Sequence, residues 1–303
     1  MWMGFITTIE QSIVPMFLII ACGFFYQRRK KGSIKEITDL TLLVLAPMTV
    51  FNKLVQHNIA LPELGDHLLF MLLLTGAMVV IGWIGAIVLR SGEENRIPFI
   101  LSVSMINIGN FGVPLIHFTY GADASYYAIL TFIAFNLPLT TVAIYLSSGE
   151  SSRLGAFKDM LRIPLFHAAV LALVVTTFSI PVPAIAMKVT SYLGQAAFPV
   201  FIFILGMQVA NIKLSRSMIR LVAAAVIIRL VLSPVIAIPI MDMLHFEGIE
   251  RNVALIQTSC PSALLPLMYA IRFNRPTSLL AATILTSTLL ASASLTAVIT
   301  IFG

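Results

Sequence analysis

Positive charge is sorted along this chain according to the side of a membrane on which each connecting segment would fall. Ten apolar stretches of about 20 residues can be laid along the sequence, and each is long enough to cross a bilayer core of about 30 Å. The odd-numbered gaps between them hold most of the basic residues, namely Arg28, Arg29, Lys30, Lys31, Lys35, Arg90, Arg96, Arg153, Lys158, Arg162, Lys213, Arg216, Arg220, Arg272 and Arg275. The even-numbered gaps hold only Lys53, Lys188 and Arg251. Because Lys and Arg in short loops stay on the cytoplasmic side, this pattern predicts ten spans with both termini on the non-cytoplasmic side.

The composition leaves little room for anything besides membrane spans. Of the 303 residues, 59% are hydrophobic and 11% are charged, and the mean hydropathy is +0.98, which no soluble domain of this size approaches. Spans and short loops use nearly the whole chain, so a soluble catalytic or sensory module is excluded. The net charge of +6 is explained by topology, and no nucleic-acid partner is predicted. The two cysteines fit neither a disulfide framework nor a metal-ligand pattern.

The predicted spans follow one another with short gaps. They cover roughly residues 6–27, 37–56, 67–89, 97–118, 124–147, 160–179, 184–208, 217–240, 250–271 and 277–302. The most polar gap, residues 147–158, falls near the midpoint and separates a first five-helix half, residues 1–150, from a second, residues 151–303. The sequence therefore predicts an all-α polytopic membrane protein made of two halves.

The two halves are related by one constant offset. A shift of 152 residues places Pro47 on Pro199 and Pro114 on Pro266, so two prolines within spans coincide. Because each half has an odd number of helices, the second half must lie upside down relative to the first. The sequence thus predicts an inverted repeat, which is a common plan of secondary transporters.

Spans four and nine carry residues that interrupt a helix. In span four these are Asn107, Gly109, Asn110, Gly112 and Pro114, and in span nine they are Ser259, Pro261, Ser262 and Pro266. Such residues are poor helix formers, and in hydrocarbon each freed backbone group must find a partner or line a wet cavity. Two interrupted helices at equivalent positions of the halves point to a binding site near the membrane midplane.

The chemistry of this predicted site favours an anion. Pro114 and Pro266 are suited to the first turn of the second half-helices, where a missing N–H costs little. The free N–H groups there carry the positive end of the helix dipole into the break. The amides of Asn107 and Asn110 and the hydroxyls of Ser259 and Ser262 add donors, and Gly112 is predicted to bind the substrate with them. A carboxylate can therefore be bound by neutral groups alone.

Three further polar residues lie within spans or at their ends. Asn136 lies in the middle of span five, where it either lines the site or bonds a neighbouring helix. Arg229 lies deep in span eight, and a charge there is costly and functional by default. It either attracts the anion or pairs with a carboxylate or with carbonyls. His117, just after Pro114, is a titratable group near a membrane interface, where a bystander role is favoured.

The motif Asn-x-Gly-Asn-x-Gly-x-Pro at residues 107–114 resembles the auxin efflux carrier family, which includes plant PIN auxin transporters and bacterial malonate-type carriers. The segments Leu45-Ala46-Pro47 and Arg272-Phe273-Asn274 carry the same resemblance, which covers the whole chain. It implies that helices four and nine cross at their breaks. It also implies a scaffold of helices 1, 2, 6 and 7 and a transport domain of helices 3–5 and 8–10 that moves like an elevator.

The same resemblance implies a function. It is that of a secondary transporter of small organic anions, mono- or dicarboxylates such as malonate, malate or auxin, working as a homodimer in the bacterial cytoplasmic membrane. It carries carboxylate binding onto Asn107, Asn110 and, in helix five, Asn136. No cofactor or metal is expected, and Na⁺ or H⁺ remains open as a coupling ion, since Na⁺ ligands such as Ser, Asn and carbonyls leave no charged signature.

Other functions are weighed against this one. A sodium/proton exchanger or a bile-acid-type sodium symporter would use a related crossed-helix fold, but proton exchangers usually carry carboxylates at the midplane, and no span has one at its centre. An enzyme would need a nucleophile with a base, or metal ligands at useful spacing. The five histidines are scattered, so no enzyme activity is predicted. A receptor would not need two matched broken helices.

Overall fold

The computed structural model describes residues 14–56, 61–148, 164–211 and 216–302. These residues form helices and short connections, with no strand longer than a single bridge among them. The helices are α1, Val14–Lys30; α3, Leu61–Val88; α4, Glu93–Ser104; α5, Val113–Ser148; α6, Pro164–Thr177; α7, Ala184–Ala210; α9, Gly248–Thr258; α10, Leu265–Arg272; and α11, Ser278–Phe302. Two further helices contain a π-helical turn: α2, residues 34–56, and α8, residues 216–243. The all-α prediction is thus confirmed, whereas the division at residue 150 lies outside the described residues.

The exterior and the helix lengths are those of a membrane protein. The segments Leu64–Val88, Tyr126–Ser148, Ala184–Met207 and Met218–Met243 are long and apolar enough to cross a membrane. Large apolar side chains such as Trp83, Val88 and Tyr192 are exposed on the outer surface, where lipid rather than water would meet them. The full count of ten spans stays a prediction.

One predicted connection is helical instead. The gap expected at residues 119–123 lies inside α5, which runs for 36 residues from Val113 to Ser148 and is about 54 Å long. This gap contains no proline, and its single glycine, Gly121, costs a helix only about 1 kcal/mol. The equivalent connection in the second half does end a helix, because Arg272 is the last residue of α10 and α11 begins only at Ser278.

Three π-helical turns each end two residues before a proline. They are Thr41–Leu45 before Pro47, Ile108–Gly112 before Pro114, and Ile228–Leu232 before Pro234. A proline inside a helix lacks an N–H and collides with the carbonyl four residues earlier, and a widened turn relieves that collision. Pro138 and Pro199 lie within helices that have no such turn, so a π turn is one way, not the only way, of placing a proline here.

The helices pack most extensively within two groups. In one group, α7 packs along α1 and α2, and α2 packs on α6. In the other, α3, α4 and α5 pack together with α8 to α11. Polar groups bond α2 to α7: the Thr49 hydroxyl donates to the Gly194 carbonyl at 2.8 Å, and the Asn52 amide donates to the Met187 carbonyl at 3.2 Å. Such bonds hold helices together where lipid offers no hydrophobic driving force.

Glycines bring α1 and α7 into backbone contact. A Cβ added at Gly23 would lie 2.1 Å from the Phe203 carbonyl oxygen, and one added at Gly206 would lie 2.1 Å from the Ile20 carbonyl oxygen. The contact is reciprocal, because each glycine faces the residue three positions before the other. Small residues of this kind allow membrane helices to approach closely.

Candidate functional site

The chain leaves helical geometry between α4 and α5. Helix α4 ends at Ser104, Met105 is extended with φ −98° and ψ 125°, and Asn107 has φ −86° and ψ 63°. Helical turns resume at Ile108 with the π turn that leads into α5. The interruption therefore falls at residues 105–107, immediately before the glycines and proline of the motif.

The second interruption separates α9 from α10. Helix α9 ends at Thr258, and α10 begins at Leu265 with Pro266 in its first turn. Because a proline at this position gives up an N–H that has no helical partner anyway, it favours a helix start. Residues 259–264 between the helices are fully buried.

The two interruptions contact each other through their backbones. The N–H of Asn107 donates to the Pro261 carbonyl at 2.8 Å, and the N–H of Ala263 donates to the Met105 carbonyl at 2.9 Å. The result is a single antiparallel bridge between Ile106 and Ser262. Each interruption thus satisfies polar groups that the other exposes, which is the requirement for irregular backbone inside a membrane.

A cavity of about 70 Å³ lies beside this contact, several times the space that one water molecule needs. Its lining comes from both interruptions, from α5 and from α2 and α7: Ala46, Thr49, Val50, Ile106, Asn107, Gly109, Phe132, Phe135, Asn136, Leu139, Phe201, Ala263, Leu264 and Leu265. None of these side chains is charged. Within the described ranges, no backbone acceptor is found for the N–H groups of Gly109, Leu264 and Leu265, which belong to the first turns of the second half-helices.

Two asparagine side chains line the cavity. Asn107 is 7% exposed, and no hydrogen bond of its side-chain amide is found in the described part of the chain. The Asn136 amide donates to the Phe132 carbonyl at 2.7 Å and is half-buried. The structure therefore brings Asn107 and Asn136 to one cavity although they come from different helices.

Gly109 of the π turn packs against the Phe132 ring of α5. A Cβ at this position would collide with the ring of Phe132, so any larger residue would require that ring to move. Gly112 instead faces away from the cavity, where an added Cβ would meet the Cys260 sulfur at 3.2 Å. The two glycines of the motif thus serve different contacts.

Ser259, Pro261 and Ser262 are buried beside the cavity without lining it. The Ser259 hydroxyl donates to the Leu255 carbonyl at 2.8 Å, and the Ser262 hydroxyl donates to the Ser102 carbonyl at 2.7 Å. Pro261 contributes its carbonyl to the backbone bridge. The backbone of Asn110 belongs to the π turn, and the side chains of Asn110, Pro114 and His117 lie outside the described part of the structure.

Arg229 joins the carboxyl ends of the two first half-helices. Its guanidinium is fully buried and donates to the Val103 carbonyl at 2.9 Å and to the Thr258 carbonyl at 2.8 Å. It also donates to the Ser233 hydroxyl, which in turn donates to the Thr258 carbonyl at 3.0 Å. The sequence left several roles open for Arg229. The contacts in the structure are those of the role in which it pairs with carbonyls.

Two features of the structure are not evident from the residue types alone. Thr49 and Phe201 line the cavity from α2 and α7. The offset of 152 residues pairs these two positions, each two residues after one of the aligned prolines 47 and 199.

His67 of α3 contacts the Thr131 hydroxyl at 2.9 Å and the Glu250 carboxylate at 3.1 Å. Nothing in the sequence marks that second contact, because it joins residues 183 positions apart.

The comparisons with known proteins all match this chain to proteins described as transporters. The chain matches the family described as membrane transport protein over residues 8–156 and 153–299. It is 20% identical over 288 residues to an uncharacterized transporter of Methanocaldococcus jannaschii, covering 91% of this chain and 93% of that protein. It is 28% identical over 198 residues to an uncharacterized transporter of Methanothermobacter thermautotrophicus, covering 64% of each chain.

Proposed function

The chain belongs to the membrane transport protein family, and from that membership we propose that it is a secondary carrier of small organic anions. The observation that carries the proposal is the uncharged cavity at the contact of the two interruptions, which is lined by Asn107 and Asn136. The proposed substrate is a mono- or dicarboxylate of the size of malonate or malate.

The cavity's donors suit a carboxylate. The N–H groups of Gly109, Leu264 and Leu265, for which the described ranges offer no backbone acceptor, lie at helix amino ends, each of which carries about half a positive charge. The amide of Asn107 supplies a further donor, Asn136 lines the cavity beside it, and we assign substrate contact to Asn110 from the motif. Ser259 and Ser262 support the site through their bonds to backbone carbonyls. A neutral site of this kind binds an anion weakly enough to release it again.

The proposed mechanism is elevator-type alternating access. The cavity lies where the group of α1, α2, α6 and α7 meets the remaining helices, since α2 and α7 supply one wall and the interruptions supply the other. In the proposal the first group is a scaffold, through which two copies of the chain dimerise. The second group carries the bound anion across the membrane. The complete protein would have ten spans in two inverted halves, residues 1–150 and 151–303.

Topology gives a prediction that labelling can check. In a background with Cys22 and Cys260 replaced by serine, Lys188→Cys should react with a membrane-impermeant maleimide in intact cells, and Lys31→Cys should react only after permeabilisation. Both lysines are exposed, so access rather than burial decides the result. Short-loop basic clusters stay cytoplasmic, which also places the termini outside and suits a bacterial cytoplasmic membrane. Labelling of Lys31→Cys alone in intact cells would invert this topology.

Uptake into proteoliposomes tests the function. Labelled malonate and a panel of other small carboxylates would be offered with and without a sodium or proton gradient, to wild type and to Asn110→Ala. Saturable uptake that Asn110→Ala lacks is the expected result, and its dependence on a gradient identifies the coupling ion. Flux of a cation without any organic substrate would instead favour a sodium/proton exchanger. Sodium-driven uptake of a steroid acid alone would favour a bile-acid-type symporter.

A further inference from the structure

Three oxygen atoms converge on the Arg229 guanidinium at the carboxyl ends of two helices. Val103 is the last residue but one of α4, and Thr258 is the last residue of α9. Their carbonyls accept from the two terminal nitrogens of Arg229, and the Ser233 hydroxyl completes the set. We call the Val103 carbonyl, the Thr258 carbonyl and the Ser233 hydroxyl the carbonyl cage.

The charge of Arg229 matches the charge of the cage. A helix carboxyl end carries about half a negative charge, so two such ends together present about one. Within the described part of the chain, no Asp or Glu forms an ion pair with Arg229. A buried guanidinium without a counter-charge would be strongly destabilising, and the two helix ends are what offsets it.

The ligands of the cage are those that crossed-helix carriers present to a coupling cation. In secondary transporters, unwound carbonyls and the carboxyl ends of half-helices coordinate Na⁺. In this chain, carbonyls in the equivalent position already accept hydrogen bonds from the Arg229 guanidinium. We propose that Arg229 is a resident cation that takes the place of a Na⁺ ion at the crossing, so that no Na⁺ binds at this position during transport. The proposal rests on the proposed function, since it concerns how the carrier is coupled.

Thermal unfolding of the purified protein tests the proposal without measuring transport. Wild type should unfold at the same midpoint in sodium, potassium and choline chloride of equal ionic strength. Arg229→Ala should unfold at a lower midpoint in choline chloride and should be stabilised, saturably, by Na⁺ or by low concentrations of guanidinium. Arg229→Lys keeps a charge in the cage and should show no more Na⁺ dependence than wild type. Arg220→Ala removes an exposed arginine of the same helix and is the matched control, with no cation dependence expected.

Several outcomes would overturn the proposal. Saturable binding of radioactive sodium to wild type that is lost when Ser233 is replaced by alanine would show that the cage accepts an external ion beside Arg229. A folded Arg229→Ala that responds to neither cation would show that the cage has no cation affinity. Failure to recover Arg229→Ala folded in any of the cations would count against the proposal as well. If cation rescue holds while no acid of the panel is taken up, the carrier function fails and the role of Arg229 stands.

Discussion

Asn107→Asp is expected to lower the affinity for a carboxylate substrate by more than about 100-fold. The side chain lines the cavity and is nearly buried, so the new carboxylate would face the bound anion in a poorly solvated space. Two like charges about 4 Å apart repel by about 4 kcal/mol at an effective dielectric constant of 20. Asn107→Ala removes only a donor to a charged group, which costs about 1.5–3 kcal/mol, and should weaken binding less.

The measurement is the concentration dependence of uptake into proteoliposomes, with binding to the detergent-solubilised protein as a second readout. Asn274→Asp introduces the same charge on an exposed asparagine whose φ of 53° an aspartate tolerates, and it should leave uptake unchanged. Asn107→Asp with wild-type affinity would show that the anion binds elsewhere.

Gly206→Leu is expected to prevent recovery of folded protein. A Cβ at this position would lie 2.1 Å from the Ile20 carbonyl oxygen, a distance that only a separation of α1 from α7 can relieve. Because backbone atoms rather than a flexible side chain stand in the way, no rotamer change helps, and the loss should exceed the 1–3 kcal/mol usual for overpacking. Gly23→Leu should behave in the same way, since its contact with Phe203 is equally close.

Size-exclusion chromatography of the solubilised protein and its thermal unfolding midpoint measure this effect. Gly76→Ala is the control, because Gly76 lies inside α3 with nothing within 4 Å of an added Cβ. Alanine is the better helix former by about 1 kcal/mol, so this variant should unfold at the same temperature or slightly higher. Monodisperse Gly206→Leu of wild-type stability would contradict the close contact of α1 and α7.

The sequence predicted the family and the positions of the two helix interruptions better than the contacts between helices. The resemblance to auxin efflux carriers is confirmed at the level of the family. Asn107, Gly109 and Pro266 are local signals, because a cluster of poor helix formers disfavours a continuous helix, and the structure interrupts the chain beside them. Thr49 and Phe201 are different: only the packing of α2 and α7 against the interruptions makes them part of the cavity.

The directions in which side chains point could not be predicted from the sequence either. Ser259 and Ser262 have the right chemistry for the site, but their hydroxyls bond to the carbonyls of Leu255 and Ser102. Arg229 is visible as a buried charge in the sequence, yet two of its three partners are backbone carbonyls, which leave no trace in residue types. The helical run through Gly121 was missed because one glycine is a weak signal against the continuity of a long helix.

The bridge between the two interruptions is made by main-chain atoms alone. Asn107 and Ala263 donate their N–H groups to Pro261 and Met105 whatever side chains those four positions carry, save a proline at either donor. In the proposed carrier, the backbone contacts that hold the crossing are therefore separate from the side chains that contact the substrate. Side chains at positions 49, 107, 136 and 201 can then change during evolution, and with them the substrate, while the backbone bridge stays intact. We therefore expect relatives with little sequence identity to bind different substrates at the same crossing.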